Sequence, residues 1–212
     1  MTYRRRSIRL PHYDYTRAGY YFITVSTHKR VHLFGEIEDG VMVLNVAGEM
    51  VKKWYDKLEE KFSTVRNDIM VIMPNHIHFV IQIVGADPRV RQQGQHIQDQ
   101  YNGYQIKEGI YDRKWQTHGQ KGQTHGSAPT GDCVGLGDVV QWFKTMTTNT
   151  YIQMVKNNTL PSFDKRIWQR NYYEHVVRDA NDYARIAEYI RNNPLTWEED
   201  MLNAKTAIKQ IS

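Results

Sequence analysis

The feature that most restricts the fold is the run from Met73 to Ile81, MPNHIHFVI, which reads as a turn followed by a β-strand. Side chains on a strand alternate between its two faces, so residues two apart point to the same side. His76 and His78 therefore lie side by side on one face of the predicted sheet, while Ile77 points to the other. Two imidazoles held in this way form half of a metal site.

The remaining hydrophobic patterns place this strand in an α+β domain. An apolar residue recurs every four positions from Val46 to Phe62, which predicts an amphipathic helix. Further helices are predicted over 137–156 and 181–193, the last capped by Asp179 or Asn181 and ended by Pro194. Strands are predicted at 20–27, at 68–73, at 76–84, weakly at 171–177, and as a hairpin within 33–44. This order predicts a ferredoxin-like α+β sandwich with an antiparallel sheet and helices on one face.

One stretch departs from this pattern. Residues 85–132 are rich in Gly, Gln, His and Asp, a composition that cannot bury much apolar surface. We therefore interpret 85–132 as a variable, low-complexity insertion within a single domain that spans residues 1–212.

Composition and charge restrict the cellular setting. The net charge of +5 leans basic, and Arg4, Arg5 and Arg6 crowd the N-terminus, which suits a phosphate-contacting arm as well as a solvated leader. A single cysteine, Cys133, rules out an internal disulfide framework. The chain has no apolar run of the ~20 residues that a membrane span requires, and no secretory signal. These features predict a cytoplasmic protein with no membrane partner.

A histidine pair needs a third ligand and a reactive group before it suggests chemistry. A helix that carries a tyrosine with an oxygen ligand one turn later, at i and i+4, supplies both. Two pairs on predicted helices meet this condition, Tyr55–Glu59 and Tyr189–Asn193. Tyr189 lies off the apolar stripe of its helix, but spacing alone leaves both pairs open.

Several segments together resemble one known family. They are RRRSIRLPHYDY at 4–15, YYFITVST at 20–27, MPNHIHFVI at 73–81, WQRNYYEHVVRD at 168–179 and EYIRNNP at 188–194. In combination they resemble the REP-associated tyrosine transposases, relatives of the single-tyrosine HUH transposases of bacterial insertion sequences. The resemblance extends over essentially the whole chain except the 85–132 insertion.

The resemblance implies a role for each site residue. His76 and His78 match the two metal ligands of the HUH motif, Asn193 matches the third ligand, and Tyr189 matches the nucleophile. The implied reaction is cleavage and rejoining of single-stranded DNA through a covalent 5′-phosphotyrosine. The implied cofactor is Mg²⁺ or Mn²⁺, of which Mn²⁺ suits two imidazoles and a carboxamide better.

The same resemblance implies that the partners are single-stranded DNA hairpins, in a cytoplasmic, nucleoid-associated protein. Family members include monomers and dimers that exchange helices, so a homodimer is one of two expected states. Tyr172 and Tyr173 are candidates for stacking on bases, although strand alternation is expected to bury at least one of them. The expected phosphate contacts are Arg4, Arg5, Arg6, Lys144, Arg170, Arg178 and Arg191.

Two other functions remain open from the sequence. A DNA-hairpin binding protein without catalysis would keep the basic surface but would not need the histidines and the tyrosine. A metal-dependent hydrolase of a small molecule would use the histidine pair for zinc, and would bind no DNA.

Overall fold

The computed structural model of the protein describes residues 13–84 and 134–203. The insertion expected at 85–132 and the arginines at 4–6 lie outside the described residues. The strands are β1 (Gly19–Ser26), β2 (Gly35–Glu38), β3 (Val41–Leu44), β4 (Val65–Met73), β5 (His76–Ile83) and β6 (Tyr173–Val177). The helices are α1 (Val46–Asp56), α2 (Leu58–Lys61), α3 (Leu136–Lys156) and α4 (Ala180–Asn192), with 3₁₀ turns at His28–Arg30 and Trp197–Glu199.

In the described ranges the main sheet has the strand order β4-β5-β1-β6, and every pairing in it is antiparallel. Strands β2 and β3 form a separate hairpin, as predicted. Its turn, Asp39-Gly40, adopts φ values of 49° and 76°, a left-handed conformation that glycine tolerates without strain. The predicted α+β class with an antiparallel sheet is confirmed.

The prediction that the helices share one face of the sheet is wrong for α4. Helices α1 and α3 pack on the face that carries Ile23, Ile77 and Phe79. Helix α4 covers the opposite face, where its apolar stripe meets Phe22 and other residues of β1, β4 and β5. Because the central strands β1 and β5 are buried at consecutive positions, both faces of the sheet need a cover.

The single helix predicted over 45–62 is in fact two, α1 and α2, separated at Lys57. Asn45 caps the start of α1 by accepting hydrogen bonds from the backbone N–H groups of Ala47 and Gly48. No helix in the described ranges has the length and apolar character that a membrane crossing requires.

Helix α4 is fixed against the sheet edge by polar contacts at its first turn. Asp179 caps the helix by accepting a hydrogen bond from the backbone N–H of Asp182. The Asp182 carboxylate lies 2.7 Å from Nε2 of His175 on β6 and accepts a 2.6 Å hydrogen bond from Arg185. These bonds set the position from which α4 crosses the sheet.

Asp182→Asn is therefore expected to lower the free energy of unfolding by on the order of 2 kcal/mol at neutral pH. Burial alone raises the pKa of Asp182, but hydrogen bonds from His175, the Arg178 backbone and Arg185 outweigh it and lower that pKa to about 2. A depressed pKa stabilises the fold above the unfolded value of about 4, and this contribution is lost as the pH falls toward 2.

Urea unfolding of both proteins from pH 7 downward measures this effect. The difference between their free energies of unfolding should be largest at neutral pH and should shrink as the pH falls from about 4 toward 2. Glu188→Gln removes an exposed carboxylate from the same helix and is the matched control, expected to change stability by less than about 0.5 kcal/mol. An Asp182→Asn deficit that does not change with pH would contradict the assignment.

Candidate active site

The site begins with the paired histidines of β5. His76 and His78 are both buried and face the side of the sheet that α4 covers. Their Nε2 atoms are 2.9 Å apart. On the neighbouring strand β1, Ser26 lies opposite His76 and Thr24 lies opposite His78. The alternation read from the sequence thus produces the expected pair.

The second nitrogen of each ring has a fixed partner. Nδ1 of His76 lies 2.7 Å from Oδ1 of Asn75, and the Asn75 Nδ2 donates to the carbonyls of Arg30 and Leu202. This network assigns the His76 proton to Nδ1 and leaves Nε2 as a lone pair. Nδ1 of His78 lies 2.7 Å from Oγ1 of Thr24, and a hydroxyl that both donates and accepts allows His78 to present its own Nε2 lone pair.

Burial keeps both imidazoles neutral, which is the state that binds a metal ion. It lowers the pKa of His78 to about 3. It lowers the pKa of His76 well below its ordinary value, and the neighbouring His78 adds to the effect. Two ligands held about 2.1 Å from one ion at a right angle are about 3 Å apart, close to the observed Nε2 separation.

Helix α4 brings a tyrosine and an amide to these rings. Tyr189 lies on the last turn and is 45% exposed, with its hydroxyl oxygen 3.1 Å from Nε2 of His78. Asn193 follows the helix and is buried, and its side chain interacts with His76 and Tyr189. Its Oδ1 is buried and, among the described residues, receives no hydrogen bond.

The alternative pair, Tyr55 and Glu59, lies elsewhere. Tyr55 is buried on the opposite face of the sheet, beside Phe79, with its hydroxyl hydrogen-bonded to backbone groups of Asp68 and Val80. Glu59 accepts a hydrogen bond from the Asn67 backbone. Of the two pairs that the sequence left open, the structure brings Tyr189–Asn193 to the histidines.

Asp200, just after the second 3₁₀ turn, is a site residue that sequence reasoning missed. Its Oδ2 lies 3.7 Å from Nε2 of His76, and in the described part of the chain that oxygen makes no hydrogen bond. The backbone N–H of Leu202 donates to Oδ1, while the Leu202 carbonyl accepts from Asn75, so one loop holds both residues. The acidic run Glu198–Asp200 was the only signal in the sequence, and nothing in it indicated a return to the histidines.

The donor set fits a divalent cation. Ligand atoms of His76, His78 and Asp200 lie within 4.8 Å of one another. Oδ1 of Asn193 and Oδ2 of Asp200 are buried without hydrogen-bond donors in the described ranges, and a cation would satisfy both. Two imidazole nitrogens, a carboxamide oxygen and a carboxylate oxygen suit Mn²⁺ better than Mg²⁺.

The electrostatics of the site disfavour an ionised tyrosine when no cation is bound. Burial raises the pKa of Tyr189, the Asp200 charge raises it further, and Asn193 partly offsets both. Burial likewise raises the pKa of Asp200. A divalent cation among these groups would reverse both effects, because it favours the anionic forms.

The site opens into a cleft of about 790 Å³. Its lining includes Gln169, Asn171 and Tyr173 and the residues of the 199–202 loop. Phe22 also lines the cleft and is stacked on the His78 ring, with centroids 5.5 Å apart. Substrate can therefore reach Tyr189 from solvent.

The structure gives Lys144 a different role from the predicted phosphate contact. Its Nζ donates to the carbonyls of Gln169, Arg170 and Asn171, at 3.0, 3.3 and 3.3 Å, and lies 5.4 Å from the Tyr172 ring centroid. All three ammonium donors are thus used, and burial lowers the pKa of Lys144 to about 8. Through these contacts Lys144 on α3 holds residues 169–171, at the cleft lining, in place.

The other predicted phosphate contacts are dispersed. Arg170 and Arg178 are exposed, at the cleft-side segment and at the end of β6 respectively. Arg191 on α4 is half-buried. Arg4, Arg5 and Arg6 precede the described residues.

Removing the Asn75 side chain tests the support of the histidine pair. Asn75→Ala leaves the Nδ1 proton of His76 without its acceptor, so divalent-metal affinity should fall by about 10- to 100-fold, measured by calorimetry with Mn²⁺. Asn203→Ala is the matched control, because Asn203 is also a buried amide and donates to the Trp197 carbonyl. Equal losses in the two variants would count against an orienting role for Asn75.

No family model matches the chain. An uncharacterized protein of Haemophilus influenzae is 37% identical over 198 residues, which cover 93% of this chain and 92% of that protein. The chain belongs to the family of this Haemophilus protein. The relative is uncharacterized, so membership by itself assigns no activity.

A solved structure, that of a REP-associated tyrosine transposase bound to a REP hairpin, is similar in fold. Its TM-score is 0.50, at 17% sequence identity, with 93% of this chain and 74% of that chain covered. At this identity the likeness shows the fold alone. The chain therefore shares the fold of that transposase, and its described residues include a group of two histidines and an aspartate that could hold a metal ion.

Proposed function

We propose that the protein is a metal-dependent transposase of the single-tyrosine HUH class, which cleaves and rejoins single-stranded DNA at REP-like hairpins. One observation carries the proposal: Tyr189, His78 and Asn193 line one open cleft, where the Tyr189 hydroxyl is 3.1 Å from Nε2 of His78 and that atom is 2.9 Å from Nε2 of the buried His76. The fold shared with a transposase that is bound to a REP hairpin supports the choice of substrate.

In the proposed reaction the Tyr189 oxygen attacks a phosphodiester of single-stranded DNA. A bond forms between this oxygen and phosphorus while the bond from phosphorus to the 3′ oxygen breaks, which leaves a 5′-phosphotyrosine. The tyrosine proton passes to water in the open cleft, and the 3′ oxygen takes up a proton to become a hydroxyl. A new 3′-hydroxyl can attack the phosphotyrosine in the reverse sense, which rejoins strands.

His76, His78 and Asn193 would hold the divalent cation, with Asp200 as a further ligand. When bound, the cation supplies charge that polarises the scissile phosphate and stabilises the charge that develops on its oxygens. Asn75 and Thr24 orient the imidazoles, and Phe22 supports the His78 ring. These contacts give the chain a preorganised site that needs little rearrangement.

We propose that arginines recognise the DNA backbone. Among the described residues these are the exposed Arg170 and Arg178 and the half-buried Arg191. The basic N-terminus adds Arg4, Arg5 and Arg6. We propose a cytoplasmic, nucleoid-associated protein that acts as one domain over 1–212. Light scattering of the protein with bound hairpin measures whether it acts as a monomer or as a homodimer.

The test is incubation of the purified protein with hairpin oligonucleotides from its own genomic neighbourhood, with Mn²⁺ or with EDTA. A denaturation-resistant protein–DNA adduct is expected in the Mn²⁺ reaction and not in the EDTA reaction. Mass spectrometry should place the adduct on Tyr189. Hairpin binding without an adduct would favour a binding protein that lacks catalysis. Tight zinc binding with no salt-dependent DNA affinity would favour a small-molecule hydrolase.

A further inference from the structure

An exposed aromatic ring lines the cleft on the edge strand β6. Tyr173 is 49% exposed, lines the cleft and lies at the start of β6. In the sheet register Tyr173 is opposite Thr24, and Thr24 is opposite His78. Residues opposite one another across neighbouring strands share a face, so Tyr173 stands in the same row as His78, two strands away.

This row fixes the distance between the ring and the reactive groups. Neighbouring strands are about 4.8 Å apart, which places the Tyr173 backbone about 10 Å from that of His78. Phe22 fills the space between, with ring centroids 6.2 Å from both Tyr173 and Tyr189. A nucleotide whose phosphate lies at the imidazoles can therefore reach the Tyr173 ring with its base.

The residues that line the cleft indicate where a base would lie. Gln169, Asn171 and Tyr173 are uncharged, whereas Glu199 and Asp200 are acidic. The uncharged residues offer an aromatic face together with amide groups. Purine and pyrimidine rings stack on such a face whatever their sequence.

Contacts with Lys144 of α3 hold the segment that precedes Tyr173 in place. Lys144 binds three consecutive carbonyls of residues 169–171, and the Tyr172 ring lies over its ammonium. Tyr172 packs against the core of the α1 and α3 face. Both tyrosines line the cleft, but Tyr172 is partly buried whereas Tyr173 is exposed, on a segment that does not have to be ordered on binding.

We propose that Tyr173 forms a nucleobase-stacking subsite for the base next to the phosphate that Tyr189 attacks. The proposal rests on the proposed function, because it takes the ligand to be single-stranded DNA. It assigns to Tyr173 a part of the affinity for bases that phosphate contacts cannot supply. The Tyr173 hydroxyl is not needed for this role, since the ring face makes the contact.

Two probes of equal charge separate stacking from phosphate binding. They are oligodeoxythymidylate and an abasic oligomer of the same length, and their affinities are measured by fluorescence anisotropy in EDTA. The wild-type protein should prefer the probe with bases. Tyr173→Ala should weaken binding of that probe by about 5- to 100-fold and leave the abasic probe unchanged. Tyr173→Phe, which keeps the ring, should retain the preference.

Equal weakening of both probes by Tyr173→Ala, or no weakening of either, would overturn the subsite. Tyr173 is half exposed, so its replacement should not unfold the protein, and circular dichroism checks this directly. The binding assay needs neither metal nor chemistry. If no adduct ever forms but the base preference depends on Tyr173, the proposed cleavage fails and the subsite stands. If adducts form and Tyr173→Ala does not change the preference for the probe with bases, the subsite proposal is wrong and the proposed cleavage is unaffected.

Discussion

Tyr189→Phe is expected to abolish the covalent adduct with hairpin DNA while leaving hairpin affinity nearly unchanged. The variant keeps the ring, which contacts Phe22 and His78, and removes only the oxygen that would bond to phosphorus. Since that oxygen lies at a half-exposed position, where water can replace its contacts with His78 and Asn193, stability should change by less than about 1 kcal/mol. Denaturing gels of Mn²⁺ reactions measure the adduct, and anisotropy in EDTA measures the affinity.

Tyr55→Phe is the control for this experiment. Tyr55 belongs to the second tyrosine pair that the sequence allowed, but it is buried on the opposite face of the sheet. Its replacement should leave the rate of adduct formation within a few-fold of wild type after correction for stability. An adduct that persists in Tyr189→Phe and disappears in Tyr55→Phe would reverse the assignment of the nucleophile.

Loss of a metal-binding histidine should have the second large effect. Mn²⁺ at about 100 times its dissociation constant should stabilise the wild-type protein by about 2.7 kcal/mol, and so raise its melting temperature by about 5–10 °C. His78→Gln should remove most of this increase and slow adduct formation by about 10³-fold or more, because the charge at the scissile phosphate is lost. Thermal scans with and without Mn²⁺ measure the stabilisation.

His175→Gln supplies the comparison. His175 is a partly buried histidine on β6 whose Nε2 lies 2.7 Å from the Asp182 carboxylate, outside the proposed metal site. This variant should lose stability yet keep the full increase in melting temperature with Mn²⁺. The metal assignment fails if His78→Gln retains that increase, or if His175→Gln loses it.

The sheet and the facing histidines could be predicted because they depend on local pattern. The period-two alternation in MPNHIHFVI specified a common face for His76 and His78, and the structure has them there. The apolar residues at every fourth position up to Phe62 likewise predicted helix. They did not predict the break at Lys57 between α1 and α2. The position of α4 across the sheet did not follow from pattern, and the expectation of helices on one face was wrong.

Lys144 and Asp200 show the limit of sequence reasoning most clearly. A lysine in a basic chain reads as a phosphate contact, but three carbonyls from residues 169–171 surround its ammonium. An aspartate beyond the last helix reads as a surface charge, but the 199–202 loop returns it to within 3.7 Å of His76. Both placements depend on partners 25 or more residues away in the chain, and no local signal records such partners.

The sequence by itself determined the strands, the shared face of the two imidazoles and the one-turn spacing of Tyr189 and Asn193, because each follows from the repeat of a single element. Only the tertiary structure decided which tyrosine meets the histidines, that Asp200 joins them and that Lys144 is enclosed. Those outcomes depend on how separate elements pack against both faces of the sheet, which is fixed by the burial of apolar surface summed over the whole domain.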